Sequence, residues 1–391
     1  LGIPVLYGID NIHGANYVNG SILFPHQIGV AATWNIELSK LGGEITSYES
    51  RAASLPWNFN PNADVAMNPI WGRIAESFGE DPYLISEMTN AYIQGSQEKG
   101  LQDKTSTAVC VKHFVGYGAG RNGKDRANAQ IPENSLRQYF LPPFEKAIQN
   151  GAMGVMISSN AVNGIPCHLN KNYITDILKG ELKFKGVVIS DFNDVEFLID
   201  AHESAKDTRE ATKFAVNAGI DLLMNPFDAD IVDIIVDLVE KGEISKERID
   251  DAVTRVLRLK FYLNLFEKPY NNPNEYPDFG SEKHIAINYQ TASESITLLK
   301  NKNKVLPISS DKRILVTGYA ANSINRLNRA WSRSFLGRDT IYNDPSKLTV
   351  IQAIKKQVGA TKFDFVEGTD YLMDINSDLA VAKAKNANYI V

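Results

Sequence analysis

Short apolar runs alternate with longer segments of helical spacing from residue 1 to about residue 265. The runs are IPVLYGID (3–10), WNFNPNADVAM (57–67), TAVCVKHF (107–114), GAMGVMISSN (151–160), GVVISD (186–191) and GIDLLMN (219–225). Each has the length and apolar content of a buried strand. Between them apolar positions recur at helical intervals: Ile231, Ile234, Ile235 and Leu238 fall at i, i+3, i+4 and i+7. Ser245 is placed to cap the helix that closes this region near Phe266. Strands separated by helices predict a parallel sheet covered by helices, and the pattern leaves a barrel and a doubly wound sheet both open.

The texture then changes. EKPYNNPNEYPDFG (267–280) is rich in Pro and Asn, has no apolar period, and reads as part of a linker over 267–282. A helix (283–297), ITLLKN (296–301), RILVTG (313–318), a helix around 347–358, FDFVEG (363–368), a helix around 375–386 and a final NYIV predict a second α/β unit over 283–391. Leu1 opens directly onto one predicted strand and Val391 closes within another, so the chain reads as an excerpt cut at both ends.

The polar residues fall in a pattern of their own. The strands of the first region end in Asp10, Asp64, Lys112-His113, Asn160, Asp191 and Asn225. A single Asp after a strand can cap the next helix. Capping does not explain Lys112-His113, whereas the C-terminal rim of an α/β barrel, where chemistry sits, explains all six ends. Carboxylates, amides, a lysine and a histidine suit a neutral polyhydroxylated ligand whose hydroxyls both donate and accept. A phosphorylated ligand would call for a glycine-rich anion site late in the barrel, and none follows GIDLLMN. A sugar and glycosidic bond cleavage fit best.

Composition narrows this further. Hydrophobic content of 43% and charge of 22% are those of a globular protein, and a net charge of −5 offers no field for nucleic acid. No apolar stretch is long enough to span a bilayer. The first residue is not Met, which is consistent with a removed leader and a secreted or periplasmic protein. Cys110 and Cys167 make neither a disulfide framework nor a zinc pattern, and the six histidines show no H-x-x-x-H spacing. No metal or cofactor is implied.

LGIPVLYGIDNIHGANYV, LFPHQIGVAATWN, NPIWGRIAESFGEDPYL, VCVKHFVGYG, VNGIPCHLN and FKGVVISDF resemble, in order, the first-domain blocks of glycoside hydrolase family 3. ESITLLKN…VLPI…RILVTG resembles the start of that family's second domain. The resemblance covers essentially the whole chain. It implies a TIM-like (β/α)8 barrel over 1–266, truncated before Leu1, followed by an α/β/α sandwich truncated after Val391. The implied activity is that of a retaining exo-β-glucosidase acting on terminal non-reducing β-D-glucosyl residues of a glucoside or β-glucan oligosaccharide.

By this resemblance Asp191 matches the nucleophile, with Lys112 and Arg73 near enough to favour its charged form. Asp10 matches the acceptor for distal sugar hydroxyls, and Arg73, Lys112 and His113 match donors to the others. Asn160 and Phe192 are expected to support these residues, and Asp64 either to support them or to contact substrate itself. Glu76, Glu80 and Asp81 are expected to organise their loop, and His13 and His26 to satisfy buried hydrogen bonds. The family's general acid/base is a glutamate in the second domain, beyond Val391.

Two positions depart from the family pattern. Ser159 stands where a tyrosine is usual beside the nucleophile, which predicts the loss of a hydrogen bond and an aromatic wall. Phe192 stands where a tryptophan is usual, which keeps a ring but not its N–H. The loop GYGAGRNGKDRANAQ (116–130) contains Asp125 but no histidine, unlike the Asp-x-His pair of the β-N-acetylglucosaminidase branch. A β-xylosidase and a catalytically silent sugar-binding relative remain open. An aldolase with a Schiff base on Lys112 would require the phosphate loop that the sequence lacks.

Overall fold

The computed structural model describes residues 2–391 and divides into two compact units, the first ending at Ile296 and the second being Thr297–Val391. In the first unit β1 (Gly8–Ile9), β2 (Trp57–Asn58), β3 (Ala108–Phe114), β4 (Gly154–Ile157) and β7 (Val187–Ile189) form a five-stranded sheet in the order β1-β2-β3-β4-β7, parallel throughout. A parallel bridge from Ile189 to Leu222 carries the pairing on to the sixth apolar run. The strands thus follow one another around the sheet in chain order. A barrel winds in this way, whereas a doubly wound sheet reverses at a switch point. The result is a curled parallel half-barrel. A short antiparallel hairpin, β5 (Ala161–Val162) with β6 (Ile165–Pro166), sits in the loop after β4.

The strands are buried on both faces because their side chains alternate between two cores. Val109, Val111, Val155 and Val188 pack on one side with Ile85, Ile93, Ile174 and Leu178. Trp57, Cys110, Met156, Val187 and Ile189 point the other way, against Leu259, Leu263 and Leu265. Several strands are shorter than the apolar runs that predicted them. Beyond β2, Pro61 has no N–H to offer, and the exchange with β3 is irregular, from Lys112 N to the Pro61 carbonyl (3.1 Å) and Ala63 N to the Lys112 carbonyl (2.5 Å).

The helices Ile36–Ala52 and Pro82–Gln97 pack in close backbone contact. A Cβ on Gly95 would lie 1.9 Å from the Lys40 carbonyl oxygen, and one on Gly43 2.4 Å from that of Tyr92, so any larger residue would separate the helices. Asp81 caps Pro82–Gln97, accepting from Tyr83 N (2.8 Å) and Leu84 N (3.2 Å). Ser245 caps Lys246–Tyr262, accepting from Arg248 N (3.2 Å).

The segment read as a linker lies on the first unit. The buried Tyr276 donates its hydroxyl to the Lys104 carbonyl (2.7 Å), and the fully buried Glu49 accepts from Gly280 N and faces His284 Nδ1, each at 3.0 Å. The helix Glu282–Glu294 also belongs to this unit, later than the expected start of the second at residue 283. In the second unit β8 (Ile314–Thr317) pairs in parallel with β9 (Phe363–Val366) and β10 (Tyr389–Ile390). The helices Val350–Val358, opened by a Thr349/Gln352 capping box, and Ser377–Ala384 accompany this sheet. The run 296–301, expected to be a strand, pairs with none of these, and Leu298 and Leu299 are exposed.

Candidate functional site

The half-barrel delivers its polar residues to one edge because each follows the C-terminal end of a parallel strand. Asp10 follows β1, Asp64 lies beyond β2, Lys112 and His113 are near the C-terminal end of β3, and Asp191 comes two residues after β7. Lys112 is almost fully buried, and its Nζ donates to Asp10 Oδ1 at 2.5 Å. Burial pushes the Asp10 carboxyl up from its usual range, and the Lys112 charge pulls against that shift.

His113 is held from both sides. Its backbone N–H donates to Asp64 Oδ1 (3.1 Å), and its Nδ1 lies 2.7 Å from Asp64 Oδ2. Burial, then the charges of Arg73 and Lys112, keep the imidazole well below the usual histidine range. Burial also pushes Asp64 up to about 7. The neutral ring therefore carries its proton on Nδ1, toward Asp64. Its Nε2 faces Arg73 Nη2 at 3.3 Å and Asp191 Oδ2 at 3.6 Å.

Asp191 retains 14% side-chain exposure. Its Oδ1 accepts from Phe192 N (2.6 Å) and its Oδ2 from Ser159 Oγ (3.0 Å). Its own amide donates to His168 Nε2 (3.1 Å). Where a hydrogen bond was expected to be lost with the family's tyrosine, Ser159 makes one, because the serine two residues after β4 stands close enough for its hydroxyl to reach directly. Lys112 and Arg73, expected to favour the charged form of Asp191, make their ion pairs with Asp10 and Glu76, and Arg73 also interacts with the charge of Asp191.

Arg73 is gripped by Glu76 through two bonds, Nε to Oε1 (2.9 Å) and Nη2 to Oε2 (2.7 Å), and its guanidinium sits 5.1 Å from the Tyr117 ring centre. Burial disfavours its charge, but Glu76 more than offsets this and holds Arg73 well above its usual value. Glu76, expected only to shape its loop, is thus a buried partner of a sugar-binding candidate, and it also accepts from Asn62 Nδ2 (3.1 Å).

The remaining candidates divide. Asn160 is fully buried and braces its loop, accepting from Ser158 Oγ (2.6 Å) and donating to the Gly116 (3.3 Å) and Ala161 (3.1 Å) carbonyls. Phe192 has a half-exposed ring set edge-on to Phe227, with centroids 5.6 Å apart. Asn225 donates to Glu196 Oε1 at 3.4 Å. His13 Nδ1 pairs with the Phe24 carbonyl (2.6 Å), and the ring stacks on His26 at 4.0 Å. Trp71 Nε1 donates to Asp125 in the 116–130 loop (3.2 Å).

Two residues with no assigned role in the sequence reading, His168 and Asp194, closely support this site, and two others, Ser159 and Glu76, do more there than expected. Glu76 left a further signal, an acid three residues after an arginine, which is the spacing of a same-face ion pair in a helical turn, whereas His168 and Asp194 left none.

With this geometry in view, comparison with known proteins is informative. The model of the glycosyl hydrolase family 3 N-terminal domain matches residues 1–259. A lysosomal β-glucosidase of Dictyostelium discoideum is 39% identical over all of this chain, which covers 49% of that protein. A β-xylosidase of Formosa agariphila is 32% identical, with 100% of this chain and 56% of the relative covered. The crystal structure of a Listeria innocua β-glucosidase in complex with glucose superimposes with a TM-score of 0.85 at 31% identity, covering 100% of this chain and 52% of that one. The chain spans about half the length of these relatives.

Proposed function

Since this chain belongs to glycosyl hydrolase family 3, we propose that its first unit carries the sugar site and nucleophile of a retaining exo-β-glucosidase. In this reading the second unit is the start of an α/β/α sandwich. The observation that supports the reading is the setting of Asp191, a carboxylate left partly open at a strand end and aligned by two donors. Around it stand Asp10, Arg73, Lys112 and His113, with donors and acceptors for a ring of hydroxyls. Asp64 fixes the tautomer of His113, and Glu76 fixes the fork of Arg73.

The reaction then runs in two displacements. An oxygen of Asp191 attacks the anomeric carbon as the glycosidic C–O bond breaks, and the leaving oxygen takes a proton from a general acid. The family resemblance assigns that acid to a second-domain glutamate beyond these residues. Water, deprotonated by the same group, then releases the sugar from Asp191. The substrate class is a terminal β-D-glucoside or a β-glucan oligosaccharide. The 32% identity to a β-xylosidase keeps a pentoside as the second reading. A secreted or periplasmic location belongs to the same proposal, and among the described residues no helix is long and apolar enough to cross a membrane.

The test is intact-mass spectrometry after incubation with 2,4-dinitrophenyl 2-deoxy-2-fluoro-β-glucoside, whose leaving group needs little acid assistance. One covalent adduct, mapping to Asp191, is expected. Sugar binding without any adduct would instead mark a silent relative, and faster labelling by the fluoro-xyloside would move the substrate to pentosides.

A further inference from the structure

The turn after Asp191 carries a second carboxyl, Asp194, which the proposed reaction does not use. It is the first residue of the helix Asp194–Asp200, its side chain is 1% exposed, and its polar neighbours include His168 and Ser159, whose hydroxyl also serves Asp191. A carboxyl buried this deeply depends on such neighbours. Its Oδ2 lies 3.5 Å from Nδ1 of His168, which is itself 2% exposed. The other nitrogen of that ring, Nε2, accepts the main-chain N–H of Asp191 at 3.1 Å.

The amide of Asp191 has no other place in the sheet. Its neighbours continue the ladder, Ser190 N to the Leu222 carbonyl (3.0 Å) and Asn193 N to the Met224 carbonyl (2.9 Å), but Asp191 N points away from that strand. His168 Nε2 can accept only while its proton sits on Nδ1, the side faced by Asp194 and by the Ser158 backbone.

We propose that His168 and Asp194 form a positioning pair for the nucleophile: the Asp194 carboxyl, 3.5 Å from Nδ1, works with the Ser158 backbone to favour the proton on Nδ1, and Nε2 fixes Asp191 through its amide. The side-chain bonds from Ser159 and Phe192 then orient the carboxylate from a fixed backbone. This inference rests on the reading of Asp191 as the nucleophile. Electrostatics agree with the geometry. Burial lowers His168 to about 3 and, followed by the neighbouring Asp191, raises Asp194 well above the usual carboxylate range, so the site disfavours charge on both members. The charged or titratable groups facing the pair are Asp191, His202, Arg126, Arg73, His113 and Cys167.

The test is the first-order rate of Asp191 labelling by the same fluoro-glucoside, read beside the inhibition constant of free glucose. His168→Ala should slow labelling about a hundredfold, the scale of a nucleophile displaced by a fraction of its working distance, with little change in glucose inhibition. His168→Gln, which offers an amide oxygen to the Asp191 N–H, should restore most of the rate. Asp194→Leu should follow His168→Ala, and Asp194→Asn, neutral and of the same shape, should recover most of the loss. A His168→Ala protein that labels at the wild-type rate overturns the pair while leaving the glucosidase reading intact. Equal losses of labelling and glucose affinity, unrescued by His168→Gln and Asp194→Asn, also overturn it by showing a merely structural role. A wild-type protein that never labels overturns the glucosidase reading and the role of the pair with it.

Discussion

Two aspartates attached to the same strand are satisfied in opposite ways. Asp221 accepts from Val188 N in the middle of β7 (2.9 Å), and its fully buried carboxylate is met by Lys179 Nζ (2.6 Å) and by Arg248, with Arg255 at 3.9 Å. Asp191, just beyond the C-terminal end of β7, has neutral donors on both oxygens, a neutral histidine at 3.6 Å, and an open edge. The nearby cations of the rim are already matched, Lys112 with Asp10 and Arg73 with Glu76. A carboxylate enclosed by cations is a staple, and its charge is unavailable to a ligand. One held by hydroxyl and amide donors is oriented but still free to react. The contrast follows the division of an α/β barrel into a stabilising face and a reactive face.

Exchange of the two carboxylates for amides should separate stability from activity. Asp191→Asn should lower kcat by about 10⁴-fold or more, as loss of a covalent nucleophile does, with the thermal midpoint unchanged or raised. Asp221→Asn should do the reverse, costing about 3 kcal/mol of stability by stranding buried cations, with kcat/KM nearly unchanged in the protein that remains folded. Steady-state kinetics and urea melts on both variants measure this. A large kcat loss in Asp221→Asn at full folding would erase the distinction.

How much of this could be read from sequence depends on where each residue sits. Asp10, Lys112, His113 and Asp191 stand at or just after the ends of apolar strand runs, so a charge that such runs do not need announced itself. Chain order alone left barrel and doubly wound sheet undecided, because strand neighbours are set by pairing between distant segments, such as Trp57 with Ala108. His168 was illegible for the same reason: it lies in a short helical turn, and only folding brings its ring to an amide 23 residues later. Ser159 was read as a loss because its type was compared with a family habit, whereas the actual path of the loop decides whether a short hydroxyl reaches. The run 296–301 shows the opposite error, an apolar pattern that finds no partner strand among the described residues.

The reactive edge should also be the acid-sensitive one. His168 is neutral when folded, lowered by burial from 6.5 to about 3, so between those values the unfolded chain binds the extra proton. Stability therefore rises with pH across that window and is lost as pH falls, by about 3 kcal/mol between pH 6.5 and about 4. His168→Gln removes this titration, while His113 and Asp64 titrate in both proteins and cancel in the difference. Unfolding free energies from urea melts at the two pH values should fall less in His168→Gln by about that amount. Equal falls would place the acid sensitivity elsewhere.

Glu76 tests where the boundary between staple and site lies. It resembles Asp221 in being buried and bound to a cation, yet its cation, Arg73, also contacts Tyr117 and faces His113. Glu76→Gln leaves one acceptor where there were two and turns an amide N–H₂ toward the guanidinium, so the fork should rotate away from its bidentate pose. We expect kcat/KM to fall by about a hundredfold through misplacement of Arg73, with a stability cost of about 2 kcal/mol for the weakened buried pair. Weaker inhibition by glucose should accompany the kinetic loss if Arg73 holds a sugar hydroxyl. A lowered melting midpoint with unchanged kcat/KM and unchanged glucose inhibition would place Glu76 with Asp221 instead, and the reactive edge would then begin at His113 rather than at the Arg73 loop.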